Sequence, residues 1–345
     1  MSLRPALFTA LALAACSKSE PKTEPAPTPP PPPPPPAVVI DAADVAVAAP
    51  APPPDIDAAA APASPGARCT LDGDPLVVDC VQGGSLATTA DAVYISDGHT
   101  ARRYRRQPGD ACAFTTDLAV AAPDKQPKPQ TLGKGPIAMR SGGPHWDLTA
   151  AGSTVYFHDF LLGLYRVDRG KLEPVCPDLQ GTSSLAIHGQ IATTTSGTHL
   201  ALAKKCKALA GKLDPIPSRG VHAIGADTWG ESNGKLVRYD KAGKVAATAG
   251  GEDAFAPGGL CSVAATTACD DDLCVLDTNC AKLSRFAGDG THRVERKLDD
   301  LLDHRPFGLT GLAFAGDDAY LLATEKDGEA CEAVLYAFPA ATLAP

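Results

Sequence analysis

Glycine is missing from the first 65 residues, and Phe8 is the only aromatic side chain there. The same stretch holds 18 of the 33 prolines, which fix φ and donate no amide hydrogen bond. A segment so poor in core-forming side chains builds no packed domain. Beyond residue 16 no apolar run approaches the ~20 residues that a bilayer-spanning helix needs, so no spanning helix is expected past the N-terminus. Basic charge is also scarce: residues 66–345 carry 28 Lys and Arg against 34 Asp and Glu. That leaves no positive stripe for a polyanion and excludes nucleic acid as a partner. Nor does the chain contain a Gly-x-Ser-x-Gly elbow, a His-Glu-x-x-His zinc motif or a phosphate loop, and several enzyme classes go with them. The 345 residues are expected to hold one folded domain, 67–345, behind a non-globular leader.

That leader has two parts. Residues 1–15 read as an export signal, with Arg4 as its positive start and Ala6 to Ala14 as an apolar stretch too short to span. Leu13-Ala14-Ala15-Cys16 resembles the lipobox of bacterial lipoproteins, which implies cleavage before Cys16 and a lipid on its thiol. By resemblance to Gram-negative lipoproteins, Ser17 implies passage to the outer membrane, on its periplasmic side or at the cell surface. Residues 16–66 are rich in Pro, Ala, Thr and Glu and include an unbroken run from Pro29 to Pro36. They are expected to form a disordered tether with a polyproline II rod at ~3.1 Å per residue, a spacer rather than a docking peptide.

From about residue 84 the pattern changes to short runs of β-branched and aromatic residues cut by Gly, Asp and Asn, without a 3.6-residue stripe, which is an all-β pattern. One unit recurs six times, at Ser85 to Tyr104, Asp147 to Val167, Ser184 to Lys205, Val221 to Tyr239, Leu260 to Phe286 and Leu309 to Phe338. From Trp229 to Cys274 to Tyr320 equivalent positions return about every 45 residues, a span suited to a four-stranded propeller blade. The expected fold is an all-β, six-bladed β-propeller, with a seventh blade as the alternative use of residues 107–143. Phe255-Ala-Pro-Gly-Gly-Leu260 followed by Cys274-Val-Leu-Asp277-Thr-Asn-Cys-Ala-Lys-Leu-Ser-Arg-Phe286 resembles the NHL-repeat pattern. Val93-Tyr-Ile-Ser-Asp97 with Arg103-Tyr104 resembles it less closely. The resemblance implies a six-bladed ring and no particular chemistry. The last unit runs out one strand short, leaving an open edge, which is a liability. Pro75-Leu-Val-Val-Asp-Cys80 has strand composition and no other partner, so it is expected to complete that blade and close the ring.

Eleven cysteines, less Cys16, leave ten: Cys69, Cys80, Cys112, Cys176, Cys206, Cys261, Cys269, Cys274, Cys280 and Cys331. In an exported protein an even set reads as disulfides. The rival reading, a metal site at Cys269, Cys274 and Cys280, lacks the Cys-x2-Cys spacing of structural zinc. A turn over residues 270–273 sets Cys269 opposite Cys274 and brings Cys261 within two positions of facing Cys280. That register predicts the nested pairs Cys269–Cys274 and Cys261–Cys280. Cys176–Cys206 would tie the second blade to the third, and Cys69, Cys80, Cys112 and Cys331 are left without assigned partners.

In a propeller the start of each first strand and the loop after each second strand share one face. That face should gather Asp97, His145, Asp147, Asp159, Glu231, Asp277 and Asn279, with His99, His158, His222, Asn233 and Glu325 around them. On one reading this carboxylate-rich mouth holds a hard cation such as Ca2+. Resemblance to the gluconolactonase and senescence-marker family would make that a Ca2+-dependent hydrolase, needing Glu231, Asn279 and Asp277 or Asp159 at one point. On the other, Asp and Asn after a strand serve the turn itself by bonding their own backbone, with no catalytic residue and no cofactor. The leading expectation is the latter: a non-enzymatic, membrane-tethered envelope lipoprotein whose propeller binds a protein or glycan partner.

Overall fold

The computed structural model describes residues 66–344 apart from 73–74, 82, 99, 122–146, 160–162, 169–170, 177–178, 180–183, 203–205, 219, 233 and 252. The signal sequence, Cys16, the tether up to residue 65, His99, His145, Asn233 and residues 125–129 lie outside the described residues, as does the side chain of Asp159. Two short strands come first, β1 (Ala67–Arg68) and β2 (Val77–Val78). Blade 1 is β3 (Ser85–Thr88), β4 (Ala92–Ser96), β5 (Thr100–Gln107) and β6 (Asp110–Ala121), and blade 2 is β7 (Asp147–Ala151), β8 (Thr154–Asp159), β9 (Gly163–Asp168) and β10 (Lys171–Cys176). Blade 3 is β11 (Leu185–His188), β12 (Ile191–Thr194), β13 (Thr198–Ala201) and β14 (Lys207–Lys212), and blade 4 is β15 (Val221–Ile224), β16 (Asp227–Ser232), β17 (Lys235–Tyr239) and β18 (Val245–Ala249). Blade 5 is β19 (Val263–Cys269), β20 (Asp272–Asp277), β21 (Lys282–Phe286) and β22 (His292–Lys297); the short helix α1 (Leu298–Leu301) leads to β23 (Gly308–Ala315), β24 (Asp318–Asp327) and β25 (Ala330–Pro339) of blade 6.

Each sheet is an antiparallel meander. The first strands touch in a closed cycle, β3 to β7, β11, β15, β19, β23 and back to β3. The protein is a six-bladed β-propeller, and the described residues form six sheets. Side chains on successive positions of a strand point to opposite faces, so each second strand is squeezed between two neighbouring blades, and those of blades 1, 5 and 6 carry unbroken apolar runs. In β20, Leu273 and Val275 pack toward blade 4, while Cys274 and Leu276 pack toward blade 6. In β24, Leu321 and Ala323 face blade 5, while Tyr320 and Leu322 face blade 1. Six apolar clusters result, one at each junction between blades.

First strands of adjacent blades are stitched by short hydroxyl side chains. Thr88 Oγ1 donates to Phe314 O (2.7 Å), Leu148 N donates to Ser85 Oγ (3.1 Å) and Val221 N donates to Ser184 Oγ (2.6 Å). Around the channel the strands converge closely enough to demand glycine: a Cβ on Gly311 would lie 2.6 Å from Leu86 Cβ.

The ring closes as the sequence predicts. β2 pairs with β25 through Val77 and Glu332 and through Val78 and Cys331. β1, which the sequence pattern does not announce, adds Ala67 to Ala337 and Arg68 to Tyr336. Two disulfides fix this strap, Cys69–Cys112 to blade 1 and Cys80–Cys331 to β25. Arg106 of blade 1 adds an ion pair to Asp318 and a hydrogen bond to Tyr320 Oη (2.9 Å) of blade 6. Cys176–Cys206, Cys261–Cys280 and Cys269–Cys274 are also joined.

One correction concerns register. The β19–β20 hairpin turns over two residues, Asp270 and Asp271, so Cys269 faces Asp272 and Cys274 faces Thr267. Asp270 takes the left-handed conformation (φ 55°) that such a tight turn needs and that Asp tolerates. The Cys269–Cys274 bridge is therefore diagonal across the hairpin, with Cα atoms 5.8 Å apart, which is within disulfide range.

Candidate functional site

Among the described residues, two cavities open on the face where the first strands begin. The central one, about 370 Å3, sits in the mouth of the channel and is walled by the first strands of all six blades. Its polar side chains include Asp147, His158, His222 and Glu231. β7 and β8 place Thr149 Oγ1 3.2 Å from His158 Nε2. His222, on β15, is enclosed by the channel wall, and burial pushes its pKa down to about 4, so the imidazole is neutral at pH 7. A Cβ on Gly220 would come within 2.6 Å of His222 Nε2, so glycine at 220 leaves room for the ring. The carboxylate of Glu231, next to this wall, is buried. Thr266 and Thr310 line the same space, and their buried hydroxyls have no partner among the described residues.

The expected convergence of acidic residues divides. Asp147 and Glu231 share the central cavity. Asp277 is fully buried and committed to backbone: its carboxylate accepts from Cys261 N (2.6 Å), Ser262 N (3.0 Å) and Cys280 N (3.1 Å). Among the described residues the one group compact enough to hold a metal is Cys261, Asp277 and Cys280, and there the two sulfurs are bonded to each other. Asp97 likewise accepts from Thr100 N (2.6 Å) at the end of β4. These two aspartates do what the turn needs of them.

Asn279 lines a second cavity, about 360 Å3, over the junction of blades 5 and 6. Its walls come from four segments: Cys80, Val81 and Gly83 of the strap, Thr278 and Asn279 after β20, Arg305 to Thr310 leading into β23, and Thr324 of β24. The Arg305 guanidinium donates to Thr278 O at 3.4 Å. The lead-in is clamped at His304, whose Nδ1 faces Asp303 Oδ1 (2.6 Å) and whose Nε2 faces Glu325 Oε1 (2.9 Å). Carboxylates on both nitrogens, Asp303 first and then Glu325, raise the pKa of His304. Tyr336 Oη donates to the same Glu325, and Arg68 pairs with its other oxygen at 3.0 Å.

This face also bears three exposed large apolar side chains: Val81 is 93% exposed, Phe255 85% and Phe307 60%. All three stand in loops at the channel mouth. Sequence reasoning passed over Val81, Arg305 and Phe307. The available signal was that both lead-ins, Phe255-Ala-Pro-Gly258 and Pro306-Phe-Gly308, set an aromatic ring beside proline and glycine, outside any alternating strand pattern.

No family model matches the chain, and no curated protein does. Among solved structures it is similar to virginiamycin B lyase from Staphylococcus aureus, at 13% identity over 73% of this chain and 84% of that one, with a TM-score of 0.42. It is similar to regucalcin, a calcium-binding protein from Agrobacterium tumefaciens strain C58, at 13% identity over 79% and 94%, with a TM-score of 0.46. It is also similar to BamB from Moraxella catarrhalis, at 12% identity over 73% and 71%, with a TM-score of 0.37.

Proposed function

We propose that the protein is a lipoprotein of the bacterial outer membrane, anchored through Cys16, whose propeller is carried on the proline-rich tether of residues 16–66 and binds a protein partner at its channel-mouth face. The observation that carries this reading is the concentration of Val81, Phe255 and Phe307 on that face. Exposed apolar side chains grouped on one surface mark interaction sites, and aromatic anchors dominate binding energy. Two of the loops that hold them are pinned at their bases, by Cys80–Cys331 and Cys261–Cys280. Such bracing lowers the ordering cost of association. The lipobox and Ser17 support the anchor and its destination.

Photo-crosslinking in cells tests the reading. A photoreactive side chain at position 255 or 307 should capture a protein, whereas one at Ile191 or Val245, at the opposite end of the blades, should not. Capture from both ends alike, from neither, or of a glycan instead would sink it. A second reading, a Ca2+-dependent hydrolase, draws support from Asp147 and Glu231 sharing a cavity with a neutral imidazole. Millimolar Ca2+ should then raise the melting temperature by linkage, and an unchanged melt counts against it.

A further inference from the structure

We propose that the groove over blades 5 and 6 receives a polypeptide segment of the partner in which a carboxylate stands beside an apolar side chain. This deepens the binding-module reading and rests on it. The chemistry of the groove is the reverse of its surroundings. The chain has a net charge of −9, and the neighbouring central cavity carries two carboxylates, Asp147 and Glu231. The groove wall contains, among the described residues, no Asp or Glu and one cation, Arg305. Among the described residues no carboxylate pairs with that guanidinium; its one contact is the 3.4 Å hydrogen bond to Thr278 O, so most of its five donors are free for a ligand. An anionic group meets attraction here and repulsion at the channel.

The apolar half of the ligand has its own place. The Phe307 ring and Val81 flank the groove from opposite segments, both exposed. Beneath them, Thr310 and Thr324 carry hydroxyls that are buried and have no partner among the described residues, Thr324 being 1% exposed. These hydroxyls are sealed from solvent and so from a ligand, and recognition rests on Arg305, Phe307 and Val81. The walls are held before any ligand arrives. Cys80–Cys331 pins the strap, and His304, bonded to Asp303 and Glu325, pins the lead-in that bears Arg305 and Phe307. A cavity of about 360 Å3 lies at the small end of ligand sites, which suits one apolar side chain and its neighbouring carboxylate rather than a folded domain.

The test uses the full chain in mild detergent and two probes, N-acetylphenylalanine and its uncharged amide, titrated by saturation-transfer NMR. The acid should bind about tenfold more tightly than the amide, the size of one charge-assisted hydrogen bond. Arg305→Gln should bring the two probes level, and Phe307→Ala should weaken both. Arg305 and Phe307 are exposed, so both variants should melt like the parent, which a thermal scan verifies. Equal binding of acid and amide to the parent, or an unchanged preference in Arg305→Gln, overturns the proposal. If either occurs while position 255 or 307 still captures a protein in cells, the groove chemistry is wrong and the binding-module reading stands. If the probes behave as expected and no protein is captured, the groove is a site for small carboxylates and the partner segment is overturned.

Discussion

Replacing Cys80 and Cys331 together by alanine removes the covalent link between the strap and the third strand of the last blade. The bridge joins positions 251 residues apart. In the chain-entropy account, closing a loop of that length in the unfolded chain is worth about 5 kcal/mol. Two smaller loops, of 30 and 19 residues, are already closed inside it. The dependence on length is logarithmic, so they lower the figure by only a few tenths of a kcal/mol. Cys269–Cys274 spans 5 residues, for which the same relation gives about 2 kcal/mol. Cys331, Cys269 and Cys274 are all buried, so the two double-alanine variants lose similar packing and differ mainly in loop length. With each kcal/mol worth roughly 2–4 °C in a domain of this size, the Cys80/Cys331 variant should melt at least ~10 °C below the parent. The Cys269/Cys274 variant should fall by about half as much. Calorimetry of the oxidised full chain at one scan rate reads both. If opening the ring costs no more than opening the hairpin, the bridge does not constrain closure and the reasoning fails.

Other substitutions probe the same ring. Arg106→Gln removes the ion pair to Asp318 and the bond to Tyr320 across the blade 6–blade 1 junction; a loss of about 1.5–3 kcal/mol in urea unfolding is expected, and a neutral result would show that the strap alone closes the ring. Asp277→Asn leaves a side chain that no longer accepts from three amides through two oxygens, and should cost at least ~2 kcal/mol whether or not Ca2+ is present. A loss seen only with Ca2+ would favour a metal role for Asp277. For pH, an unfolded His222 binds its proton near the ordinary 6.5 whereas the folded residue waits until about 4. The unfolded state therefore holds more protons in that window, and the parent should lose stability as pH falls from 6.5 toward 4. Half-buried His188, also shifted down by burial, adds in the same direction. His222→Gln should flatten the profile, and an identical slope in parent and variant would remove His222 as the cause.

The blades were legible because a second strand packed on both faces leaves a signature few other elements share: an unbroken apolar run of three or four residues with Asp at or just past its end. Val93-Tyr-Ile and Leu273-Cys-Val-Leu show it plainly. Ring closure was legible from the missing fourth strand. The register of the β19–β20 hairpin was not, because three consecutive aspartates offer two turns and only the backbone decides which closes. The pairing still came out right, since a diagonal and a direct neighbour both fall within disulfide reach. The site was the least legible part. Asp97 and Asp277 have the residue type of a ligand, and their spacing repeats from blade to blade, but turn geometry asks for the same residue at the same place. Arg305 and Phe307 have no periodicity to mark them, and their meeting with Val81 depends on a strap that returns from the far end of the chain.

That return sets an order of events during folding. Blades 1 to 5 each pair consecutive strands and can assemble as they enter, N-terminus first, the oxidising compartment that disulfides require. The strap emerges before all of them, and its partner β25 comes last. Cys69 meets its mate Cys112 after 43 residues, but Cys80, lying between those two, must wait 251 residues for Cys331. Throughout that interval its thiol is nearer in the chain to every other cysteine of the ring than to the right one, Cys69 and Cys112 nearest of all. Oxidation that outruns the arrival of blade 6 would trap Cys80 with Cys69 or Cys112 and leave a ring that cannot shut. The native bridge therefore depends on slow oxidation at Cys80 or on an exchange step that releases a premature bond.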